Sequence, residues 1–214
     1  MYRIATKQDI PGIAALWQQA FHETPLLPDF PCFVAEYGGK IVAMVHAWMQ
    51  KLQAGKTYTA AYLYAVATDK AFRGQGICRG LMAYAEKTLD ADCCILVPAE
   101  SSLFDFYEAL GYETAFLRNK TSFPGGEEIS MEEYLQRREV LLSATAHVVY
   151  DDLSYAQSIY GLRFYRTDTG ICAASEHFTA ENLPADLGHS PCGMIKWLRK
   201  GEPIQNGYLG FTLE

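Results

Sequence analysis

The spacing of hydrophobic residues predicts a series of short strands and helices over the first 120 residues. Apolar positions at helical spacing predict helices over residues 10–21 and 77–89, and Gly111 ends a further helix that begins at Ser101 or Ser102. Apolar runs predict strands over residues 2–5, 32–37, 40–52, 58–67, 93–97 and 112–117. Turn signals at Gly38-Gly39 and Gly55 join consecutive strands. This order of elements predicts an α/β (α+β) fold with a sheet flanked by helices.

A change in composition at residues 123–128 (FPGGEE) is the predicted boundary between two units. Beyond it, Ser130 opens a sequence like a capping box, which predicts a helix to about residue 142. Shorter strands are predicted over residues 161–167, 170–175 and 208–213. We therefore divide the chain into residues 1–122 and 127–214. The second segment is small for a separate core, so we expect a smaller C-terminal α+β unit packed on the first.

Composition narrows the classes of function. Half of the 214 residues are hydrophobic and 20% are charged, which is typical of a soluble globular protein. A net charge of −7 disfavours nucleic-acid binding. No run of about 18 apolar residues and no apolar N-terminal segment occurs, so we expect a cytoplasmic protein that does not bind a membrane. The six cysteines and five histidines lack metal-binding spacings, so no metal is expected.

The most informative stretch is residues 62–77 (YLYAVATDKAFRGQGI), in which an aromatic-rich strand leads through two glycines into a helix. Glycines let the backbone turn tightly and expose its N–H groups, and a helix start adds the positive end of a dipole. This device binds phosphate. The sequence is neither a P-loop nor a complete G-x-G-x-x-G loop. Tyr62 and Tyr64 alternate on one face of the strand, where they line an acceptor site or simply pack.

Two motifs in order resemble the GNAT superfamily of acyl-CoA-dependent N-acetyltransferases. Residues 73–78 (RGQGIC) match the R/Q-x-x-G-x-G/A pyrophosphate loop, and residues 103–112 (LFDFYEALGY) match the F-Y-E-K-L-G-F signature. The likeness covers about residues 1–120 and implies a mixed, mostly antiparallel sheet. The C-terminal part more weakly resembles the second unit of enhanced-intracellular-survival-type acetyltransferases, in which the terminal carboxylate of the chain can act as a base.

The resemblance implies a role for each matching residue. Tyr107 corresponds to the general acid that protonates the leaving thiolate of CoA. The pantetheine amides would pair with the backbone of Val66, Ala67 and Thr68. The pyrophosphate would be held by a loop with two arginines, namely Arg73, Gly74, Gln75, Gly76, Ile77, Cys78 and Arg79. Cys78 stands where the family usually has Gly or Ala, and Glu100 stands where it often has a cofactor-contacting Asn.

The general base is left open. Strand residues 58–67 contain no carboxylate, although many relatives have one there. The alternatives are a water relay, Glu23, Glu36, His46 or the terminal carboxylate of Glu214.

The resemblance implies an enzyme that transfers acetyl from acetyl-CoA to a primary amine in a ternary complex. The alternatives are an inactive acyl-CoA-binding sensor and an enzyme that acts on the amine of a peptide or protein. A covalent acyl carrier at Cys78 is the least favoured, because that thiol would lie beside the phosphates. The expected partner is a small-molecule amine, and a homodimer is compatible with the sequence.

Overall fold

A computed structural model describes residues 1–22 and 31–211. In this part of the chain the helices are α1 (Ile10–Phe21), α2 (Ile77–Thr88), α3 (Phe104–Glu108), α4 (Met131–Leu142) and α5 (Ser154–Tyr160). The strands are β1 (Tyr2–Ile4), β2 (Cys32–Tyr37), β3 (Lys40–Ala54), β4 (Lys56–Thr68), β5 (Cys93–Leu96), β6 (Glu113–Leu117), β7 (Glu127–Ile129), β8 (His147–Val149), β9 (Arg163–Arg166), β10 (Ile171–Ala174), β11 (Thr179–Leu183) and β12 (Pro191–Trp197). The predicted elements of the first 120 residues are present, with ends that differ by a few residues.

The main sheet has the strand order β1-β2-β3-β4-β5-β12-β6, and β8 pairs with the far end of β3. Its pairs are antiparallel except for the parallel pair β4–β5. The mostly antiparallel sheet that the resemblance implies is therefore confirmed. A second, four-stranded sheet follows the order β11-β10-β9-β7.

Helices cover both faces of the main sheet. Side chains of α2 and α3 pack on one face, in a core that includes Leu81, Met82 and Tyr107. On the other face, α1 packs through Ile13 and Leu16, and the C-terminal unit covers the rest. The long strands β3 and β4 are hydrophobic on both sides because both faces are covered.

The C-terminal segment also contributes strands to the main sheet. After the second sheet, the chain returns as β12, which lies between β5 and β6, with Met194 opposite Leu96. The composition break at residues 123–128 therefore marks the start of a second sheet, and the chain later comes back to the first. The division into residues 1–122 and 127–214 stays a prediction about domains, whereas the strand order shows that the two segments are interleaved.

The strand predicted over residues 208–213 is wrong over its described part. Tyr208 forms only an isolated bridge with His147. Gly210 lies at φ +79°, outside the extended region, and the carbonyls of Leu209 and Phe211 accept hydrogen bonds from Tyr150 Oη at 2.9 and 3.1 Å. The backbone of Tyr208 bonds to Ala146 and Val148 beside β8, whereas beyond Tyr208 side chains rather than a neighbouring strand satisfy the carbonyls.

A buried ion pair joins α4 to the second sheet. Arg138 Nε donates to Glu181 Oε2 at 3.0 Å, and neither residue is accessible to solvent. Arg138 Nη1 also donates to the carbonyl of Val148 in β8 at 2.7 Å, and Tyr134 Oη donates to Glu181. The pair therefore links α4, β8 and β11, all within the C-terminal segment.

Candidate functional site

The strands β4 and β5 are paired over only three positions, from Ala60–Cys93 to Tyr62–Ile95. Just beyond the last paired residue, Ala65 lies at φ +50°, and the β3–β4 register shifts between Met44 and His46. Such a bulge bends a strand and ends regular pairing. A non-glycine residue in this conformation is strained by about 1–2 kcal/mol, so the surrounding structure must hold it. The result is an opening between two parallel strands in the middle of the sheet.

A cavity of about 670 Å³ occupies this opening. Its described lining comes from α1, β4, residues 97–103 between β5 and α3, α3 itself, Lys120 after β6, α5 and the start of β12. Tyr62 and Tyr64 belong to the core on the α1 face of the sheet, whereas Leu63 and Tyr107 belong to the core on the α2 face. The cavity therefore reaches both faces of the sheet, and its size is that of a small-molecule site.

Tyr107 lies in the cavity wall on α3 and is 6% exposed. Burial, with a smaller contribution from neighbouring Cys78, raises the pKa of Tyr107 well above its ordinary value. The hydroxyl therefore keeps its proton at neutral pH. Its ring packs edge-on against Tyr112 at 5.9 Å between centroids, which fixes its orientation.

The glycine turn precedes α2 in the conformation that the sequence predicts. Gly74 and Gly76 lie at φ +74° and +76°, and no heavy atom lies within 4 Å of the position where either would carry a Cβ. These glycines are therefore required by backbone conformation rather than by lack of space. Because Gly76 is the N-cap residue of α2, no side chain of its own caps the first N–H groups. Arg73 Nε donates to the carbonyl of Thr68 at 3.1 Å, which ties the turn to the end of β4.

The predicted site residues fall into two groups. Val66 and Tyr107 line the cavity. The others lie on the end of β4, the turn and the start of α2, and they are Ala67, Thr68, Arg73, Gly74, Gln75, Gly76, Ile77, Cys78 and Arg79. Gln75 Nε2 donates to the carbonyl of Ala71, and Arg79 Nη1 donates to the carbonyl of Ala109, both at 3.3 Å. Burial raises the pKa of the Cys78 thiol, so a thiolate nucleophile is disfavoured.

Two of the four residues proposed as bases lie in the described part of the chain. Glu36 accepts a hydrogen bond from Arg3 Nη2 at 2.7 Å on the outer strands β1 and β2, away from the cavity lining. His46 is 2% exposed, and its ring contacts those of Trp17 and Tyr64, with centroid separations of 5.5 and 5.3 Å. Glu23 and Glu214 lie outside the described residues.

Burial of His46 predicts acid sensitivity of the fold. Burial lowers the pKa of His46 from 6.5 to about 4, so the folded protein holds the neutral ring while the unfolded chain takes up a proton below pH 6.5. This contribution to stability is complete above pH 6.5 and is lost as the pH falls towards 4. Between pH 7 and 4.5, urea unfolding should show that wild type loses about 2 kcal/mol more than His46→Phe. An equal loss in both proteins would contradict this assignment.

Sequence reasoning missed several residues of the cavity. Trp17 and Phe21 could have been found from the sequence, because their spacing of four residues puts both side chains on one face of the predicted helix. Tyr155, Tyr160 and Cys192 carry none, since only the fold brings α5 and β12 to the opening.

Comparisons with known proteins agree with this geometry. The family model described as acetyltransferase (GNAT) domain matches residues 1–115, which is more than half of the chain. The chain belongs to the GNAT acetyltransferase family. The match covers the glycine turn and the α3 tyrosine. It ends before the second sheet, so the C-terminal segment lies beyond the matched domain.

Solved structures show the same GNAT fold. A GCN5-related N-acetyltransferase from Kribbella flavida is 15% identical, with a TM-score of 0.63, over 92% of this chain and 72% of that one. A conserved protein from Enterococcus faecalis V583, described as a probable N-acyltransferase, is 14% identical, with a TM-score of 0.62 and the same coverage. A comparison with curated proteins gave no match. The resemblance of the C-terminal part to the enhanced-intracellular-survival type stays a prediction.

Within residues 1–22 and 31–211, no helix combines the length and apolar character needed to cross a membrane.

Proposed function

We propose that this protein is an N-acetyltransferase that moves the acetyl group of acetyl-CoA directly to a small primary amine in a ternary complex. The observation that carries the proposal is the buried, protonated Tyr107 in the wall of a cavity at the divergence of β4 and β5. Membership of the GNAT family supports the same reaction class.

The residues present fit acetyl-CoA. Gly74 and Gly76 open a turn at the uncapped start of α2, where N–H groups and the helix dipole favour the pyrophosphate. Arg73 and Arg79 add positive charge beside that turn. Beyond Tyr62, β4 no longer pairs with β5, so the backbone of Val66 to Thr68 can hold the pantetheine amides as an added strand would.

The chemistry needs an oriented amine and a proton for the leaving group. Acetyl-CoA, when bound, supplies a thioester whose carbonyl carbon bonds to the amine nitrogen while the C–S bond breaks and sulfur leaves as a thiolate. Tyr107 holds a proton at Oη, so we assign it the protonation of that sulfur. The amine must lose a proton, and the apolar cavity wall favours its neutral form. The ring of His46 is neutral at pH 7, but its depressed pKa makes it a weak base, and it lies behind the lining residues Trp17 and Tyr64 rather than in the lining, so a water would have to relay the proton.

Acetyl-CoA turnover, followed as free thiol release against a panel of amines, tests the proposal. Release that depends on the amine would support it. Binding of acetyl-CoA without release on any amine would support the sensor alternative, and no binding would contradict the assignment of the turn.

The glycine turn gives a second prediction. Gly76→Ala places a Cβ at φ +76° and costs about 1–2 kcal/mol of strain, so the turn should relax away from its binding conformation. We expect the Kd of CoA, measured by calorimetric titration, to rise about tenfold. Gly55→Ala is the matched control, because Gly55 lies at φ +72° in an open turn between β3 and β4. It should suffer the same strain and leave the Kd unchanged. Equal effects of the two changes would contradict the role of the turn.

A further inference from the structure

The α1 face of the cavity carries an unusual concentration of aromatic rings. Eight of its twenty described lining residues are aromatic, compared with 13% of the chain. Six of the eight belong to α1, β4 and α5, and they are Trp17, Phe21, Tyr62, Tyr64, Tyr155 and Tyr160. The described lining is therefore about three times richer in aromatic residues than the chain as a whole.

These rings form a continuous wall. The ring centroid of Trp17 lies 5.2 Å from that of Phe21 and 5.5 Å from that of His46. The centroid of His46 lies 5.3 Å from that of Tyr64. Tyr64 in turn stacks on Tyr62, with 6.1 Å between centroids and 6° between the ring planes. All these separations fall in the range of favourable aromatic contacts. The wall therefore holds a fixed shape.

A further part of the aromatic lining comes from α5 of the C-terminal segment. Tyr155 and Tyr160 line the same cavity as Tyr64. Tyr160 is held in place by an edge-on contact with Phe178 at 6.1 Å. Rings from three elements therefore surround the side of the opening away from α2 and its glycine turn.

The wall is uncharged at neutral pH. Burial keeps His46 neutral and raises the pKa of Tyr64, and the described lining contains one carboxylate, Glu100, and one ammonium group, Lys120. A polycation needs several carboxylates, and among the described residues the lining provides one, Glu100. Aromatic faces, in contrast, attract a single ammonium group and an apolar or aromatic body.

We propose that the acceptor is a compact monoamine with an aromatic body, and that Tyr155 and Tyr160 of the C-terminal segment select it. This inference rests on the proposed transfer function. It assigns the C-terminal segment a part in substrate choice. Desolvation by the rings also favours the neutral amine that the reaction needs.

The test compares kcat/KM for 2-phenylethylamine, n-butylamine, spermidine and a lysine-containing peptide. We expect 2-phenylethylamine to exceed each of the others at least tenfold. Tyr160→Ala and Tyr155→Ala should each raise the KM for 2-phenylethylamine about tenfold, with a smaller effect on n-butylamine. While thiol release is robust, preference for spermidine or n-butylamine would overturn the inference and leave the proposed function intact. Preference for the lysine-containing peptide would overturn the inference and favour the peptide alternative over a small amine.

Tyr165→Ala is the matched control for the tyrosine variants. Tyr165 lies on β9 in the same segment, with its ring against Phe123 at 4.6 Å and outside the cavity lining. It should leave the KM unchanged, and titration of CoA checks that every variant is folded.

If no amine gives thiol release, the proposed function fails. Fluorescence titration of 2-phenylethylamine into the CoA-saturated protein, with Trp17 as reporter, then tests the inference alone. Binding tighter than that of spermidine and n-butylamine would support it, and equal or absent binding would overturn it.

Discussion

Replacing Tyr107 by phenylalanine should lower kcat for acetyl transfer by about 100-fold, with little change in the Kd of acetyl-CoA. The change removes one hydroxyl from a buried ring, so the cavity keeps its shape while the proton donor is lost. Without a donor, sulfur must leave as a thiolate or take its proton from water. Single-turnover measurement of thiol release separates this effect from slow product release.

Tyr112→Phe is the control for this change. Tyr112 is a neighbouring buried tyrosine that packs against Tyr107 but is absent from the cavity lining, and its hydroxyl donates to Glu86 at 2.9 Å. Loss of that hydrogen bond should cost about 1 kcal/mol of stability and leave kcat nearly unchanged. If both variants lose activity equally, packing rather than proton transfer explains the role of Tyr107. If Tyr107→Phe keeps full activity, the assignment as general acid is wrong.

Arg138→Met should lower the free energy of unfolding by about 3–5 kcal/mol, the largest stability effect expected for a single substitution here. The change leaves the carboxylate of Glu181 without solvent access and without its cation, and it also removes the hydrogen bond to Val148. Urea unfolding monitored by circular dichroism measures the loss.

Two further variants identify the cause. Arg137→Met removes the adjacent, exposed arginine, which pairs with Glu133 one helical turn away, and should cost less than about 0.5 kcal/mol. Arg138→Met combined with Glu181→Gln removes both charges and keeps an oxygen that can accept from Tyr134. This double variant should be more stable than Arg138→Met alone. If the double variant were instead less stable than Arg138→Met, the loss of stability would come mainly from lost packing and not from an unpaired charge.

The fold of the first 120 residues could be predicted because its elements follow simple periodic patterns. Strands such as β2 and β5 are continuous apolar runs, and α2 begins after a glycine turn. In the C-terminal segment, α4, β9 and β10 lie within the ranges predicted for a helix to about residue 142 and for strands over residues 161–167 and 170–175. Strands β11 and β12 could not be predicted in the same way. In β11, Glu181 and Asn182 are buried polar residues, so the hydrophobic pattern is broken within a buried strand. In β12, a proline and a glycine precede a short buried run.

The site was predictable to the extent that it is local in sequence. The glycine turn and the α3 tyrosine each lie within one short motif. The cavity wall is different, because it joins residues from Trp17 to Cys192 through the topology of the sheet. Burial alone decides that His46 is neutral, and a sequence does not report burial of a single histidine.

The position of β12 between β5 and β6 has a consequence for synthesis of the protein on the ribosome. A nascent chain emerges from its N-terminus, so β5 and β6 leave the exit tunnel long before the strand that separates them. Until residues 191–197 arrive, these two strands have exposed edges that could pair wrongly, and the intervening segment must fold without blocking the gap between them. The part of the cavity lining that comes from the C-terminal segment also arrives late, since Tyr155, Tyr160 and Cys192 all belong to that segment. Complete assembly of the cavity therefore comes close to the end of translation of the described residues.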